Sequence, residues 1–208
     1  FPDHAILGEE GGASEGSRAS EESNYRWIID PLDGTTNFYH GVPHFGVSIA
    51  VENAGEPLLG VLHVTPAENR YVVRVDEGAF RNGDRLNVSG VESLDAALVG
   101  TGFPPGPAED SLVDAFAAAL EVSHGVRRIG SAVQDFALVA EGRLDAYFHA
   151  SLPPWDRTAG RLLVEEAGGR VTTVGESPET EPAHVVASAP GIHDRLCDLV
   201  FEHLRDHD

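Results

Sequence analysis

Lysine and methionine do not occur in this chain of 208 residues, and cysteine occurs once. Each scarcity excludes something. The lone Cys197 rules out an internal disulfide and a cysteine-built zinc site, and it suits a reducing, cytoplasmic setting. No apolar run approaches the roughly 18 residues of a membrane-spanning helix, and Phe1-Pro-Asp-His lacks the basic and apolar regions of a signal peptide. Without methionine the chain lacks the residue on which translation starts, so it reads as a fragment or as the ordered part of a longer protein. Without lysine all 14 cations are arginines, and against 34 Asp and Glu they leave a formal net charge of −20. That field repels nucleic-acid phosphates and anionic lipid head groups, which are bound through Lys and Arg, so neither nucleic acid nor membrane is an expected partner. The acids are scattered from Asp3 to Asp208 and localise no docking face. They read as a solvated surface that self-repulsion destabilises in dilute buffer and concentrated salt screens, the composition of a halophilic protein.

What is present is an ordinary globular chain, 41% hydrophobic, long enough for a substantial core. The Gly/Ser/Glu-rich run from Glu10 to Asn24 predicts a mobile surface loop. RWIID predicts a buried strand ending at Asp30, stopped by Pro31, and Thr35 to Tyr39 a helical turn. FGVSIAVE, PLLGVLHV and NRYVVRV, separated by Gly and Pro, predict an antiparallel meander. In the second half strands and helices alternate. AALVGTGF is a strand, Asp110 to His124 a helix, and a further helix begins near Ser131. LDAYF is a strand, Pro154 to Ala167 a helix closed by Gly168-Gly169, GRVTTV and HVVAS are strands, and a final helix runs from Gly191. With no repeat and no linker, residues 1–208 are expected to form one layered α/β body.

Three clusters carry chemistry. In Asp30-Pro-Leu-Asp-Gly-Thr-Thr-Asn37, Pro31 fixes one dihedral and Gly34 permits a tight bend, so Asp30 and Asp33 can converge on one point. Two hard carboxylates at a strand end suit Mg²⁺, and the following helix start attracts phosphate. Taken alone, D-x-x-D-G is also a common turn. Pro154-Trp-Asp156 puts an acid in the first turn of a helix, where a capping or dipole role is equally open. Leu7-Gly-Glu-Glu10 is an acidic pair that also suits a solvated turn. Elsewhere, His40 and His44 have the spacing of a helical zinc pair, but Gly41 and Pro43 break the helix that such a pair requires. Arg127-Arg128 is expected to salt-bridge to nearby carboxylates, and Trp27 and Trp155 to pack behind the site.

Together LGEE, WIIDPLDGTTNF and WDRTAGRLLVEEAGG resemble the three signatures of the inositol monophosphatase family, metal-dependent and lithium-sensitive sugar-phosphate phosphatases. The similarity runs on through GVPHFGVSIAVE, GAFRNG, GSAVQDFALVAEGRLDAYF and the last helix. The resemblance implies an α/β (α+β) fold, a layered αβαβα sandwich with a mostly antiparallel first sheet and a smaller mixed second sheet. Residues 1–95 would carry the metal site and 96–208 the substrate side. It implies that Glu9, Asp30, the Leu32 carbonyl, Asp33 and Asp156 ligate two Mg²⁺ ions, with Asp33 bridging them and a weak third ion possible in the family. Gly34, Thr35 and Thr36 would bind phosphate, and Glu9 with the Thr35 hydroxyl would hold and activate the attacking water. Gly130, Ser131 and Ala132 would face the alcohol part of the substrate. A homodimer and inhibition by lithium follow from the same resemblance.

The physics is consistent with those roles, because a phosphate dianion cannot approach so acidic a chain unless cations mask the carboxylates. The acidic loop beside Glu9 is expected to order, and to resist proteolysis near Ser17, when magnesium binds. Two features depart from the family. Its members carry a helical region before the Gly-Glu-Glu signature, with an Asp serving the third metal, whereas eight residues precede Glu9 here. His149 stands where animal members have a Glu that accepts bonds from inositol hydroxyls. A His that donates, or attracts an anion when protonated, permits a second phosphate. The expected substrate is inositol 1-phosphate or a related sugar phosphate, with fructose 1,6-bisphosphate the alternative. A 3′(2′),5′-bisphosphate nucleotidase and a catalytically silent interaction module are the further readings.

Overall fold

Alternation of buried and half-exposed residues along Gly46–Asn53 and its neighbours makes the first sheet one-sided, with its inner face turned to the core. The computed structural model describes residues 3–10, 12–14, 24–104, 106, 109–175 and 182–205. The first sheet is built from β1 (Ala5–Gly8), β2 (Gly12–Ser14), β3 (Tyr25–Asp33), β4 (Gly46–Asn53), β5 (Glu56–Val64), β6 (Asn69–Arg74), β7 (Gly78–Arg81) and β8 (Asp84–Arg85). Its spatial order is β2-β1-β3-β4-β5-β6-β7-β8. Every pairing is antiparallel except β1 with β3. A short helix, α1 (Thr35–Tyr39), follows β3.

The second half supplies β9 (Leu98–Gly102), α2 (Asp110–Val122), β10 (Gly125–Arg127), α3 (Ala132–Ala140), β11 (Ala146–Leu152), α4 (Pro154–Glu166), β12 (Arg170–Val174), β13 (Ala183–Ser188) and α5 (His193–Arg205). Its sheet has the order β10-β9-β11-β13-β12. The β10, β9 and β11 strands run parallel, while β12 and β13 are antiparallel additions. This mixed pattern follows from the helical crossovers that parallel neighbours need.

Helices α3 and α4 fill the space between the sheets. Ile28, Leu62 and Val73 of the first sheet share one core cluster with Phe136, Leu163 and, from the second sheet, Tyr147 and Val185. A second cluster lies on the far side of the second sheet, where Val99, Phe148 and Val186 meet Ala115 of α2 and Leu196 and Val200 of α5. The described residues thus stack as sheet, helices, sheet, helices, four layers of the αβαβα order. At Gly160 α4 packs tightly on α3, since a Cβ there would lie 2.3 Å from Cδ2 of Phe136.

Two expectations need correction. The strand predicted to stop at Asp30 continues to Asp33, because Pro31 falls in a bulge where its missing N–H costs no ladder bond. Gly12–Ser14, inside the predicted loop, pairs antiparallel with β1, and β1 itself is a strand that periodicity did not reveal. Residues 15–23, including Ser17, lie outside the described residues. No helix of the described residues is long and apolar enough to cross a membrane.

Candidate metal centre

Asp30 and Asp33 stand three apart, so strict alternation along a strand would send them to opposite faces. The bulge prevents this: Asp30 pairs with Ser48 and Asp33 with Gly46, three steps on β3 against two on β4. Both carboxylates are consequently buried on the same side. Asp30 is pinned by the Leu32 N–H, which donates to its Oδ1 at 2.8 Å. Gly34 then turns with φ +80°, and a Cβ there would sit 2.8 Å from the His44 carbonyl oxygen. Only glycine fits that bend.

Asp33 reaches across to α3. Ser131 donates its hydroxyl to Oδ2, the Val133 N–H donates to Oδ2 at 2.9 Å, and the Ala132 N–H to Oδ1 at 3.2 Å. A carboxylate of the first sheet therefore caps the N-terminus of a helix from the second half, satisfying amides that would otherwise be orphaned. Ser131 caps the same helix by accepting from the Gln134 N–H. Asn37 ties α1 to this region, its Nδ2 donating to the carbonyls of His44, Ile129 and Gly130.

Asp156, in the first turn of α4, completes the cluster. Asp30, Asp33 and Asp156 bring carboxylate oxygens within 4.8 Å of one another. Burial is the main cause that raises the pKa of each above the ordinary carboxylate value. Hydrogen bonds from α3 partly offset this at Asp33, whereas the negative charges of Asp33 and Asp30 add to it at Asp156. The neighbouring carboxylate of Asp33 also raises the pKa of Asp30, so each acid makes the ionised form of the others less favourable. Oxygen-only ligands, buried and mutually repelling, are a donor set that a hard divalent cation satisfies.

Every residue singled out above for metal, phosphate or substrate contact lies along one cavity of about 370 Å³. Glu9 is exposed and sits at the rim, outside the tight group of three acids. The Thr35 hydroxyl donates to the Leu32 carbonyl at 2.9 Å, which leaves that oxygen a second lone pair. His149 differs from expectation. Its Nδ1 lies 2.7 Å from the Ala150 carbonyl, which can only accept, so Nδ1 carries the proton and Nε2 is an acceptor. Burial, followed by the neighbouring Arg128 and His184 charges, pushes the His149 pKa down to about 4. With Nδ1 donating to Ala150, Nε2 is left as the acceptor of a ring that lines the cavity.

The arginine pair also departs from expectation. Among the described residues neither Arg127 nor Arg128 is ion-paired: Arg127 donates to the Val126 carbonyl and Arg128 lies over the Phe103 ring. Trp155 packs against the core and also lines the cavity, and Trp27 donates to His4 Nδ1 at 3.0 Å. His40 is exposed and His44 Nδ1 is 3.0 Å from Gln134 Oε1, so the two histidines have separate surroundings. Sequence reasoning missed Asp135 and Tyr147 in the cavity wall. Asp135 is 1% exposed, its Oδ1 has no hydrogen-bond partner, and burial raises its pKa well above the ordinary value. No sequence signal distinguishes it from any acid in the first turn of a helix.

Comparison with known proteins agrees with this geometry. The family model described as "Inositol monophosphatase family" matches residues 1–207. The chain belongs to the inositol monophosphatase family. It is 45% identical over 203 residues to an inositol-1-monophosphatase of Mesorhizobium japonicum, covering 96% of this chain and 74% of that protein. It is 44% identical over 209 residues to a protein named Nus factor SuhB of Pseudomonas aeruginosa, covering 98% of this chain and 76% of that one. Among solved structures, the inositol monophosphatase from Anabaena (Nostoc) superposes with a TM-score of 0.84 at 37% identity, over 97% of this chain and 80% of that one. The family is one of metal-dependent phosphatases, and in this inositol monophosphatase family member the buried acids Asp30, Asp33 and Asp156 are a group that can hold a metal.

Proposed function

We propose that the chain is a Mg²⁺-dependent phosphomonoesterase that hydrolyses inositol 1-phosphate or a related sugar phosphate, with fructose 1,6-bisphosphate the alternative ester. The observation that carries this reading is the convergence of three buried carboxylates in a cavity also lined by Glu9, Thr35 and Ser131. Asp30, Asp33 and Asp156, joined by Glu9 and the Leu32 carbonyl, are assigned as the ligands of two Mg²⁺ ions. Bound there, the ions would mask the acids against an approaching phosphate dianion and lower the pKa of a water. Glu9 is assigned to accept a proton from the attacking water, and the Thr35 hydroxyl, oriented on Leu32, to position that water. Gly34, Thr35 and Thr36 offer N–H groups to the phosphate. Gly130, Ser131 and Ala132 line the alcohol side, and the His149 Nε2 accepts from a substrate hydroxyl.

The relative named a Nus factor suggests a role of that kind as a second reading. A net charge of −20 without lysine works against direct contact with RNA. The test of the main reading is phosphate release from inositol 1-phosphate and fructose 1,6-bisphosphate with and without Mg²⁺. Wild type is expected to need the metal, and Asp30→Asn to lose activity by more than about a hundredfold, since a ligand to a transition-state charge stabiliser is worth several kcal/mol. Hydrolysis that survives this substitution undiminished would remove the assignment.

A further inference from the structure

Among the described residues Arg157 is the one arginine that the fold buries, 4% exposed, and it stands in the first turn of α4 immediately after Asp156. Both features are costly. Burial strips a guanidinium of its water, and a cation near a helix N-terminus opposes the helix dipole. An apolar side chain of similar volume would meet neither cost, so what the arginine contributes lies in where its donors go.

One donor closes the elbow between β11 and α4. Pro153, at the position where a helix is usually capped, offers no side-chain cap, and neither Pro153 nor Pro154 has an N–H. The strand leading into the elbow is irregular as well, with a bulge after His149 and with Ser151 in the left-handed region at φ 58°. The carbonyls of the elbow are met instead from α4 itself. Arg157 Nη1 donates to the Leu152 carbonyl, the Asp156 N–H to that of Pro153 at 3.3 Å, and the Thr158 hydroxyl to that of Pro154 at 2.7 Å. Of the three, the Arg157 bond is the one that ties the helix back to the strand, because Leu152 is the last residue of β11.

The same side chain faces the first sheet. Arg157 lines a cavity of about 250 Å³ together with Glu52, and Glu52 is ion-paired with Arg26 at 2.5 Å. Arg26 and Glu52 are partners in the β3–β4 ladder, and Arg26, Ile28 and Asp30 share one face of β3. Arg157 thus stands between the elbow that carries Asp156 and the strand face that carries Asp30. Metal–ligand distances are held to within about 0.2 Å, so a small rotation of the first turn of α4 is enough to spoil the convergence of these acids.

We infer that Arg157 is a positioning residue: bonded to the Leu152 carbonyl, it fixes the start of α4 so that the Asp156 carboxylate meets Asp30 and Asp33 at the spacing a divalent cation requires. The inference rests on the reading of that cluster as a Mg²⁺ site and deepens it.

The test is calorimetric titration of Mg²⁺ into EDTA-stripped wild type, Arg157→Met, Arg157→Lys and Arg26→Met, with melting in EDTA followed for each. Arg157→Met, which keeps an apolar stem and loses every donor, should bind Mg²⁺ roughly tenfold more weakly, at the low end for loss of a group that supports a metal ligand. The Mg²⁺ concentration for half-maximal phosphate release should rise by the same factor. Arg157→Lys keeps the charge and one donor but loses the fork, and its Kd should fall between the two. A wild-type Kd in Arg157→Lys overturns the role of Arg157 even where Arg157→Met does not fold. Arg26→Met breaks the ion pair on the same strand face without touching the elbow, so it should melt lower in EDTA and keep the wild-type Kd. An unchanged Kd in Arg157→Met, or an equal weakening in Arg26→Met, makes Arg157 a contributor to stability alone and overturns its positioning role, with the metal reading intact. A wild type that takes up no Mg²⁺ overturns the reading of the cluster and this inference with it.

Discussion

Stability should depend on metal and pH together, and the acid cluster sets the size of the effect. With carboxylate oxygens no more than 4.8 Å apart, two unit charges at an effective dielectric of about 20 repel by at least about 3.5 kcal/mol. Three ionised carboxylates would then cost roughly 10 kcal/mol, comparable with the whole stability of a domain, about 5–15 kcal/mol. The metal-free protein therefore keeps protons in the cluster, in line with the raised pKa values of Asp30, Asp33 and Asp156. Because these folded-state values lie above the unfolded ones, their contribution is complete below the ordinary carboxylate pKa, near 4, and is lost as pH rises through the raised values. Mg²⁺ displaces the protons and reverses the loss. At a hundred times its Kd it adds about 2.7 kcal/mol, or a Tm rise of roughly 5–10 °C for a protein of this length. The assay is thermal melting in EDTA and in saturating Mg²⁺, at about pH 5.5 and about pH 8.5, for wild type and Asp156→Asn, at constant ionic strength. The magnesium shift should be large at the higher pH, small at the lower, and mostly absent in the variant. A wild-type shift as large at the lower pH, or one that Asp156→Asn retains, would refute the reasoning.

Two other outcomes can be checked with the same instrument. Gly160→Ala puts a methyl 2.3 Å from the Phe136 ring, and overpacking of this kind costs about 1–3 kcal/mol, so its Tm should fall by several degrees. A variant melting with wild type would mean that α3 and α4 separate freely. With a net charge of −20 the protein should also melt lower in dilute buffer than in molar KCl, and equal melting points would contradict the reading of its acidity as adaptation to salt.

The sequence by itself determined the family and the local elements, because both are written in short-range pattern. Period-two alternation exposes β4 to β6, apolar spacing exposes α2 and α4, and the Asp-Pro-Leu-Asp-Gly-Thr run announces its own bend. The single anionic character of the chain likewise needs no coordinates. Tertiary structure alone decided three things. The bulge between Asp30 and Asp33 turns two acids of opposite parity to one face, which depends on pairing with β4. The bonds from Ser131, Ala132 and Val133 to Asp33 join segments about a hundred residues apart, and no local propensity encodes such a contact. The proton on His149 Nδ1 is set by where the Ala150 carbonyl lies, so a residue that reads from sequence as an anion receptor presents an acceptor at Nε2. Residue type gives each side chain its chemical options, and only the field and partners around it in the folded chain select among them.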